Sequence, residues 1–380
     1  MNSFRRSSSI YKMKIAILGT KGIPNNYGGY EQFAEFISRK LVERGHEVTV
    51  YNPSFHPFKE DKFEGVTIIR KYSPEGIMGG AANFIYDYLC LKDALKKDFD
   101  IIYEAGYHSV AISYKLLNIK KIKHPVILTN MDGLEYKRSK WNALTRSLIR
   151  YLEAMTVRES HYLISDNEGI QHYYQSKFGA DSYFIPYGAD RVKNFDPGYL
   201  NPYSIDPRNY MILVARLEPE NNIEMILDGH VLSGSLLKFL VVGNYMTSYG
   251  YKLKNKYSSS NIQFVGGVYN KAELDSLRYF AMAYFHGHSV GGTNPSLLEA
   301  MASKSFIAAH DNEFNRSVLL QGALYFKNEI EVSELIKTMH LLRQSNSMDF
   351  MERNLLRLDT YYDWDKIATQ YEELFMKLLI

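Results

Sequence analysis

Short apolar segments alternate with helical patterns along almost the whole chain. An apolar run at residues 14–19 is followed by a loop, by a helical pattern over residues 30–44 and by a second apolar run at residues 46–52. This order is typical of a β-strand, a crossover helix and a second, parallel strand. Because each such unit packs its helix on the sheet, repetition of the unit predicts a doubly wound α/β fold.

The alternation runs through two series, which predicts two domains. Strand candidates of the first series continue at residues 66–70, 101–103, 126–130, 162–165 and 182–185. Those of the second series are residues 210–215, 238–242, 262–265, 283–286, 306–309 and 323–326. Residues 191–209 are polar and contain three prolines, which is typical of a linker. We therefore predict two tandem Rossmann-like domains at residues 13–190 and 210–360, with an interdomain cleft at the carboxyl ends of both sheets. A C-terminal crossover helix over residues 361–380 would close the fold.

Composition is compatible with this architecture and indicates the cellular compartment. A chain of 380 residues with 46% hydrophobic and 23% charged residues is typical of a globular protein that size scaling divides into two domains. The only cysteine, Cys90, cannot form an intrachain disulfide, so we expect a reducing compartment. No segment is apolar enough for a signal sequence or a membrane span. We expect a cytoplasmic protein whose residues 1–12 form a disordered extension.

Basic side chains are concentrated in one part of the first domain. The net charge is only +3, yet residues 115–150 contain nine basic and two acidic side chains. The nine are Lys115, Lys120, Lys121, Lys123, Lys137, Arg138, Lys140, Arg146 and Arg150. With Trp141, Leu144 and Leu148 among them, they suit peripheral contact with an anionic membrane, although a solvated helix face explains the pattern equally well. Nucleic acid is a poorer interpretation, because the rest of the chain is near neutral and contains no recognised nucleic-acid module.

A glycine-rich turn at residues 291–294 leads into an amphipathic helix. Asn294 is a good N-cap and Pro295 suits the first helical position. We expect the amides of Ser296 and Leu297 to be free at this helix start and to bind an anion, and Glu299 to accept hydrogen bonds from two sugar hydroxyls. Phosphate and a ribose diol together indicate a nucleotide. The alternative is an ordinary buried helix start with a solvated or capping glutamate.

A second glycine pair follows the first predicted strand. Gly28 and Gly29 allow close approach of a ligand, and the helix that begins at Tyr30 can direct its amides at a phosphate. The glycine spacing does not match the dinucleotide fingerprint, which disfavours a dehydrogenase. A plain strand-to-helix turn explains the same residues without a ligand.

Six motifs in this order resemble the retaining glycosyltransferases of family 4, which have the two-domain GT-B architecture. The motifs lie at residues 19–24, 27–31, 130–135, 165–170, 215–222 and 286–299. Within that family the chain is most similar to the capsule and O-antigen rhamnosyltransferases. The resemblance covers the chain from Met13 to the C-terminus.

The resemblance implies a metal-independent retaining transfer with no cofactor and no dedicated nucleophile. The donor would be a nucleotide diphosphate sugar, with dTDP-L-rhamnose the best candidate, and the acceptor a lipid-diphosphate-linked saccharide in surface polysaccharide biosynthesis at the inner face of the cell membrane. The catalytic candidates are Asp132, Arg216 and Glu299. The donor-binding candidates are Gly28, Gly29, Arg216, Asn294, Ser296, Leu297 and Glu299, and the acceptor-binding candidates are Tyr30, Glu31, His108 and Glu135.

Several of these assignments have a structural alternative. Asp132 precedes Gly133, and such pairs are common in turns that bind nothing. Arg216 suits a diphosphate but would also suit an interdomain salt bridge. A histidine at a strand end, such as His108, often just satisfies local backbone groups.

The chain departs from the family pattern at two positions. Asn221 stands where most relatives have a lysine, so a second positive charge beside Arg216 is missing. Gly291 stands where the first of two glutamates is expected, and His286 and His288 are the nearest polar candidates to replace it. Two other functions therefore stay open: a nucleotide-sugar epimerase on the same architecture, and a non-catalytic nucleotide-sugar-binding subunit.

Overall fold

The computed structural model describes residues 11–138, 141–258 and 261–380, so most of the predicted extension at residues 1–12, and Lys140, lie outside the described residues. The strands are β1 (Lys14–Leu18), β2 (Glu47–Pro53), β3 (Lys62–Phe63), β4 (Val66–Lys71), β5 (Ile101–Glu104), β6 (Val126–Asn130), β7 (Tyr162–Ser165), β8 (Tyr183–Phe184), β9 (Tyr210–Val214), β10 (Lys238–Val242), β11 (Ile262–Gly266), β12 (Ala283–His286), β13 (Ile307–His310) and β14 (Leu324–Phe326). The α-helices are α1 (Gly29–Glu43), α2 (Glu75–Met78), α3 (Ala82–Ala94), α4 (Val110–Leu116), α5 (Ala143–Glu159), α6 (Glu168–Phe178), α7 (Ile223–Ser233), α8 (Ser248–Lys256), α9 (Lys271–Phe280), α10 (Pro295–Ala302), α11 (Glu313–Leu319), α12 (Glu329–Tyr361) and α13 (Trp364–Leu379).

The first domain contains an eight-stranded sheet in the order β3-β4-β2-β1-β5-β6-β7-β8. All neighbouring strands are parallel except β3 and β4, which pair antiparallel at the sheet edge. The sequence analysis missed β3, because a two-residue strand has no detectable period. The strand order reverses between β1 and β5, where Leu18 is paired with Glu104. Ligands of such sheets bind outside the carboxyl ends of the strands at this reversal.

The second domain contains a six-stranded, fully parallel sheet in the order β11-β10-β9-β12-β13-β14. Its order reverses between β9 and β12. The four inner strands, β10, β9, β12 and β13, are almost continuously apolar and buried, which is expected of a parallel sheet covered by helices on both faces. The predicted pair of Rossmann-like domains is confirmed.

The helices bury one apolar stripe each against these sheets. In α1, Phe33, Ile37 and Leu41 recur at helical spacing and are buried in the core of the first domain. In α10, Leu298 and Met301 are buried in the same way. Since α1 follows β1 and α10 follows β12, each after a glycine-containing loop or turn, both helices begin at the carboxyl edges of their sheets.

The chain returns to the first domain at its C-terminus. The ring of Trp364 stacks on Phe36 with centroids 4.8 Å apart, and Tyr371 packs on Phe33 at 5.5 Å. The segment between the domains is not irregular throughout, because residues Pro197–Tyr203 form a 3-10 helix that is capped by Asp196. No helix in the described part of the chain combines the length and the apolarity needed to cross a membrane.

Candidate active site between the domains

The two glycine-containing loops meet in the cleft. A methyl group added at Gly29 would lie 3.4 Å from Cγ of Pro295, so the start of α1 faces the start of α10. One turn into α1, Nε2 of Gln32 lies 3.5 Å from Oε1 of Glu299. Residues predicted to bind a donor therefore come together from both domains.

The start of α10 is capped by the chain itself. The amide of Ser296 donates to Oδ1 of Asn294 at 2.9 Å, and the amide of Leu297 donates to the Asn294 carbonyl at 3.0 Å. The predicted N-cap and the proline at the first helical position are both present. The expectation that these two amides are free is wrong, because a good N-cap side chain takes the bond that an anion would otherwise receive.

Glu299 is held by an arginine that the sequence analysis did not identify. Its Oε2 accepts from Nη2 of Arg278 at 2.7 Å, and the same nitrogen donates to Oγ of Ser296 at 3.0 Å. Arg278 is only 1% exposed. Burial alone would raise the pKa of Glu299, but the guanidinium keeps this pKa below its ordinary value. Glu299 is therefore a charged group of fixed orientation.

The start of α1 is occupied by its own carboxylate. Oε1 of Glu31 accepts from the amide of Lys21 at 2.6 Å, and the backbone amides of Gly28 and Glu31 also stabilise the charge. Burial nevertheless raises the pKa of Glu31. Glu31 is thus engaged within the first domain, while a phosphate contact of the amides at the start of α1 and an acceptor contact of Glu31 stay predictions. A glutamate in the first turn competes for the same positive helix end.

The turn before α10 packs on the turn after β6. Gly291 has φ +112°, and a methyl group there would lie 3.1 Å from Cα of Gly133. A side chain at position 291 would therefore be strained and would collide with backbone. Next to this contact, burial raises the pKa of Asp132 above its ordinary value. The absence of a glutamate at position 291 thus has a steric reason in this structure.

Three of the four acceptor candidates surround Asp132. The hydroxyl of Tyr107 donates to the Gly133 carbonyl at 3.0 Å and accepts from the amide of Glu135 at 3.3 Å. The ring of His108 lies 4.5 Å from that of Tyr107. Burial raises the pKa of Tyr30, and the nearby charge of Asp132 adds to this effect. Tyr30, His108, Glu135 and Asp132 therefore share one side of the cleft.

Asn221 positions its neighbours rather than supplying charge. Its Nδ2 donates to the carbonyl of Arg216 at 2.7 Å, and its Oδ1 lies 2.8 Å from Nδ1 of His288, which is the donor in this pair. The side chain of Arg216 is exposed just beyond β9. Among the described residues no carboxylate forms an ion pair with it. The alternative of an interdomain salt bridge at Arg216 is therefore not realised here.

A second cation reaches the cleft from the first domain. Nε of Arg138 is 2.6 Å from Oε2 of Glu135. Burial lowers the pKa of His288 to about 3, and the charges of Arg138 and Arg216 contribute to this shift. The two guanidinium groups thus act on one histidine from opposite domains. The sequence analysis counted Arg138 only among the basic residues of the first domain, because its neighbour in the cleft is 150 residues away.

The two histidines proposed to replace the missing glutamate have different surroundings. His286 is buried, its Nε2 has no hydrogen-bond partner, and burial lowers its pKa well below the ordinary value. His288 lies beside the turn, with Nε2 3.9 Å from a methyl group built at Gly291. Only His288 contacts the turn. No group of three or more His, Cys, Asp or Glu side chains within the described ranges is arranged to hold a metal ion.

Comparison with known proteins identifies the fold. Residues 12–190 match the family model described as a domain of unknown function, DUF1972. A search of curated proteins found no match. Solved structures with the same two-domain architecture align with nearly the whole of this chain.

Three of these structures are a sucrose-phosphate synthase, HepE and the glycosyltransferase WaaG. Sucrose-phosphate synthase from Thermosynechococcus elongatus is 16% identical, with a TM-score of 0.78 over 97% of this chain and 99% of that one. HepE from Anabaena, in complex with UDP and glucose, is 14% identical, with a TM-score of 0.73 over 96% of this chain and 100% of that one. WaaG, a glycosyltransferase involved in lipopolysaccharide biosynthesis, is 15% identical, with a TM-score of 0.69 over 96% and 99%. The chain therefore has the GT-B fold.

Proposed function

We propose that this protein is a retaining glycosyltransferase that takes its sugar from a nucleotide diphosphate donor. The observation that carries the proposal is the meeting of Glu299 and α10 with Gly29 and Gln32 of the other domain across one cleft. A GT-B neighbour, HepE, was crystallised with UDP and with UDP-glucose, which supports a nucleotide sugar as the ligand class.

The donor would be held by groups of both domains. Glu299, charged and oriented by Arg278, would accept hydrogen bonds from two ribose hydroxyls. Arg216 and Arg138 would contact the diphosphate, because planar guanidinium groups bind phosphate oxygens in pairs. The amides at the start of α10 are already bonded, so this helix would contribute mainly through its dipole.

The chemistry of the transfer requires fixed positive charge more than a nucleophile. As the bond from the anomeric carbon to the donor phosphate breaks, negative charge grows on the leaving phosphate, and preorganised cations stabilise it. Arg138 and Arg216 would supply this charge, and the contact with Glu135 already holds Arg138 in place. The leaving phosphate would assist attack of the acceptor hydroxyl from the same face, as the family resemblance implies. Asp132 would orient a hydroxyl of the sugar or acceptor.

The most specific form of the proposal is transfer of L-rhamnose from its thymidine diphosphate donor to a lipid-diphosphate-linked saccharide. It is supported by the resemblance of six ordered motifs to the rhamnosyltransferase subgroup. The acceptor side would be lined by Tyr30, His108 and Glu135 around Asp132.

Membrane contact at the inner face of the cell membrane would bring the enzyme to such an acceptor. On α5, Leu144, Leu148 and Tyr151 form an exposed stripe, with 81%, 52% and 57% of their surface accessible. On the adjoining α4, Ile112 and Leu116 are also exposed, next to Lys115. An apolar stripe among basic side chains is the pattern of a surface that lies on anionic lipid.

The proposal is tested with purified protein, a panel of thymidine, uridine and guanosine diphosphate sugars, and a lipid-linked saccharide extract. We expect binding of one donor class and transfer of its sugar with retained anomeric configuration. Arg216→Gln should lower donor affinity by about tenfold while the fold is retained. Isomerisation of the donor without acceptor would instead indicate an epimerase, and binding without turnover a non-catalytic subunit. Absence of any donor binding would refute the proposal.

A further inference from the structure

Two carboxyl groups lie under the turn that precedes α10, with Asp166 buried and Asp132 half-buried. Asp132 follows β6 and Asp166 follows β7, and the strands are neighbours in the first sheet. A methyl group built at Gly292 would collide with Oδ1 of Asp166 and would lie 2.6 Å from Oδ1 of Asp132. Both oxygens therefore face the same backbone atom of the other domain.

Asp166 also anchors the next residue of the turn. Its Oδ2 accepts from the amide of Thr293 at 3.1 Å, and its carbonyl accepts from Oγ1 of Thr293 at 2.6 Å. Nδ2 of Asn167 adds contacts to Oγ1 of Thr293 at 3.5 Å and to Oγ of Ser317 at 3.1 Å. The first domain thus holds the turn through one short segment after β7.

One oxygen of this pair has no ordinary partner. Asp166 is 3% exposed, and no residue in the described part of the chain donates a hydrogen bond to its buried Oδ1. Two ionised carboxylates in contact inside a protein repel each other strongly, so such pairs retain a proton. A single shared proton gives Oδ1 of Asp166 the partner that it lacks. Burial raises the pKa of both groups, and the charge of Asp132 raises that of Asp166 further.

The surroundings do not remove this proton. The phenols that face the pair are Tyr30, Tyr103, Tyr107, Tyr187, Tyr362 and Tyr371, all with raised pKa values and therefore neutral. Arg138 lowers the pKa of Asp132, Glu135 opposes it, and the amide of Gly292 also lowers it. His288, beside the turn, is neutral because burial lowers its pKa to about 3. One cation, already paired with Glu135, faces the two carboxyl groups.

We propose that Asp166 is a positioning residue that shares one proton with Asp132 and thereby seats the turn of residues 291–293 on the first domain. Loss of the proton places two negative charges under Gly292. Repulsion between these charges displaces the turn from the first domain, and Asp132 loses its fixed orientation toward the cleft. The seating of the turn is independent of the proposed activity, whereas its effect on donor binding rests on that activity.

The sign of the pH dependence follows from the raised pKa values. The seated form binds more protons than an open form with solvated carboxyls, so its stability falls as pH rises from the ordinary carboxyl range through the raised pKa of the pair. Below that window both forms are protonated and the seated form is favoured. Above that window the pair is fully ionised, and the contact between the turn and the first domain has a lower stability that no longer changes with pH.

Hydrogen exchange of the peptide that spans residues 288–298 tests the proposal on the ligand-free protein, from the ordinary carboxyl range up to the highest pH at which the protein stays folded. After correction for the intrinsic pH dependence of exchange, we expect protection in the unmodified protein to fall by about tenfold or more across the raised pKa of the pair. Asp166→Asn supplies a permanent N–H donor to Asp132, so protection should stay constant with pH. Asp166→Ala should lose protection at every pH.

Asp87→Asn is the matched control, because Asp87 is also buried with a pKa raised to about 7 but lies in α3. It should leave the exchange of residues 288–298 unchanged.

Asp132→Asn provides a second variant, which should abolish the same transition as Asp166→Asn, with no further effect in the double variant. An unchanged pH dependence in Asp166→Asn, or full protection in Asp166→Ala, would overturn the proposal. The readout needs no donor, so failure of sugar transfer would leave this result standing.

Discussion

Single residues in the cleft have both a structural role and an electrostatic role. One oxygen of Glu299 faces Gln32 across the cleft, and its other oxygen neutralises Arg278, which is almost completely buried. A buried guanidinium without its carboxylate is costly, so the role of Glu299 cannot be tested by removing its side chain without a second variant. The same holds for Glu135, which pairs with Arg138 and accepts from Nε1 of Trp141 at 3.2 Å.

We predict that Glu299→Ala lowers the free energy of unfolding by about 2 kcal/mol, because Arg278 is left with Asp275 at 3.5 Å as its nearest carboxylate. Glu299→Gln retains an acceptor for Arg278 and should recover more than half of that loss. Urea unfolding measures both values, and nucleotide titration calorimetry should show weaker binding for both variants. Exposed Glu334 on α12 is the control, with less than about 0.5 kcal/mol expected for its change to alanine. Equal stability of Glu299→Ala and the unmodified protein would contradict the assignment.

At the scale of elements, the starts of both cleft helices are engaged by side chains of the same chain. Glu31 in the first turn of α1 bonds the amide of Lys21 in the preceding loop, and Asn294 caps α10. The Asn294 cap stabilises α10 by about 1 kcal/mol and takes up an amide that would otherwise bind an anion. In the proposed donor site, positive charge therefore comes mainly from the side chains of Arg138 and Arg216, and the α10 dipole adds to it.

The turn before α10 is the element that joins the domains, and it requires glycine. Gly292→Ala should destabilise the protein by about 2 kcal/mol, because the added methyl group meets both Asp132 and Asp166. Gly80→Ala introduces the same atom into open space and should change stability by less than about 0.5 kcal/mol. Thermal unfolding compares the two. If Gly292→Ala loses no more stability than Gly80→Ala, the turn does not pack on the carboxyl pair.

At the scale of the whole molecule, the chain closes on itself between two covered sheets. The helix α13 carries Trp364, Tyr371 and Phe375 into the core of the first domain, and Arg44 pairs with Glu372 at 2.8 Å. The two domains are thus held together by α13, which packs on the first domain, and by the turn of residues 291–293 in the cleft. The exposed apolar stripe of α5 lies on the outer surface of the first domain.

We predict binding to anionic vesicles that weakens with salt. Lys115→Gln combined with Lys137→Gln should reduce vesicle affinity by about thirtyfold, since each basic residue near such a surface contributes about 1 kcal/mol. Lys193→Gln combined with Lys337→Gln changes two exposed lysines elsewhere and should have no effect. Co-sedimentation with vesicles of anionic or zwitterionic lipid measures the affinities. Equal binding by the two double variants would argue for a merely solvated helix face.

Much of the fold was predictable because its signals are local. Residues 126–130 and 283–286 were predicted as strands and form β6 and β12 with the same bounds. Asn294 and Pro295 were predicted as a cap and a first helical residue from their immediate neighbours, and they have these roles. Such features depend on side-chain period and backbone preference within a few residues.

The candidate site was predictable only in outline. The sequence by itself determined the two domains, the glycine turns at the carboxyl edges and the candidates Asp132, Arg216 and Glu299. Only the tertiary structure decided that Glu31 bonds the amide of Lys21, that Arg278 holds Glu299, that Arg138 faces His288 and that Asp166 lies against Asp132. The partners in these contacts are 10 to 150 residues apart in the chain. Hydrogen bonding and charge act over a few ångströms in space, so these roles exist only once the two sheets bring the loops together.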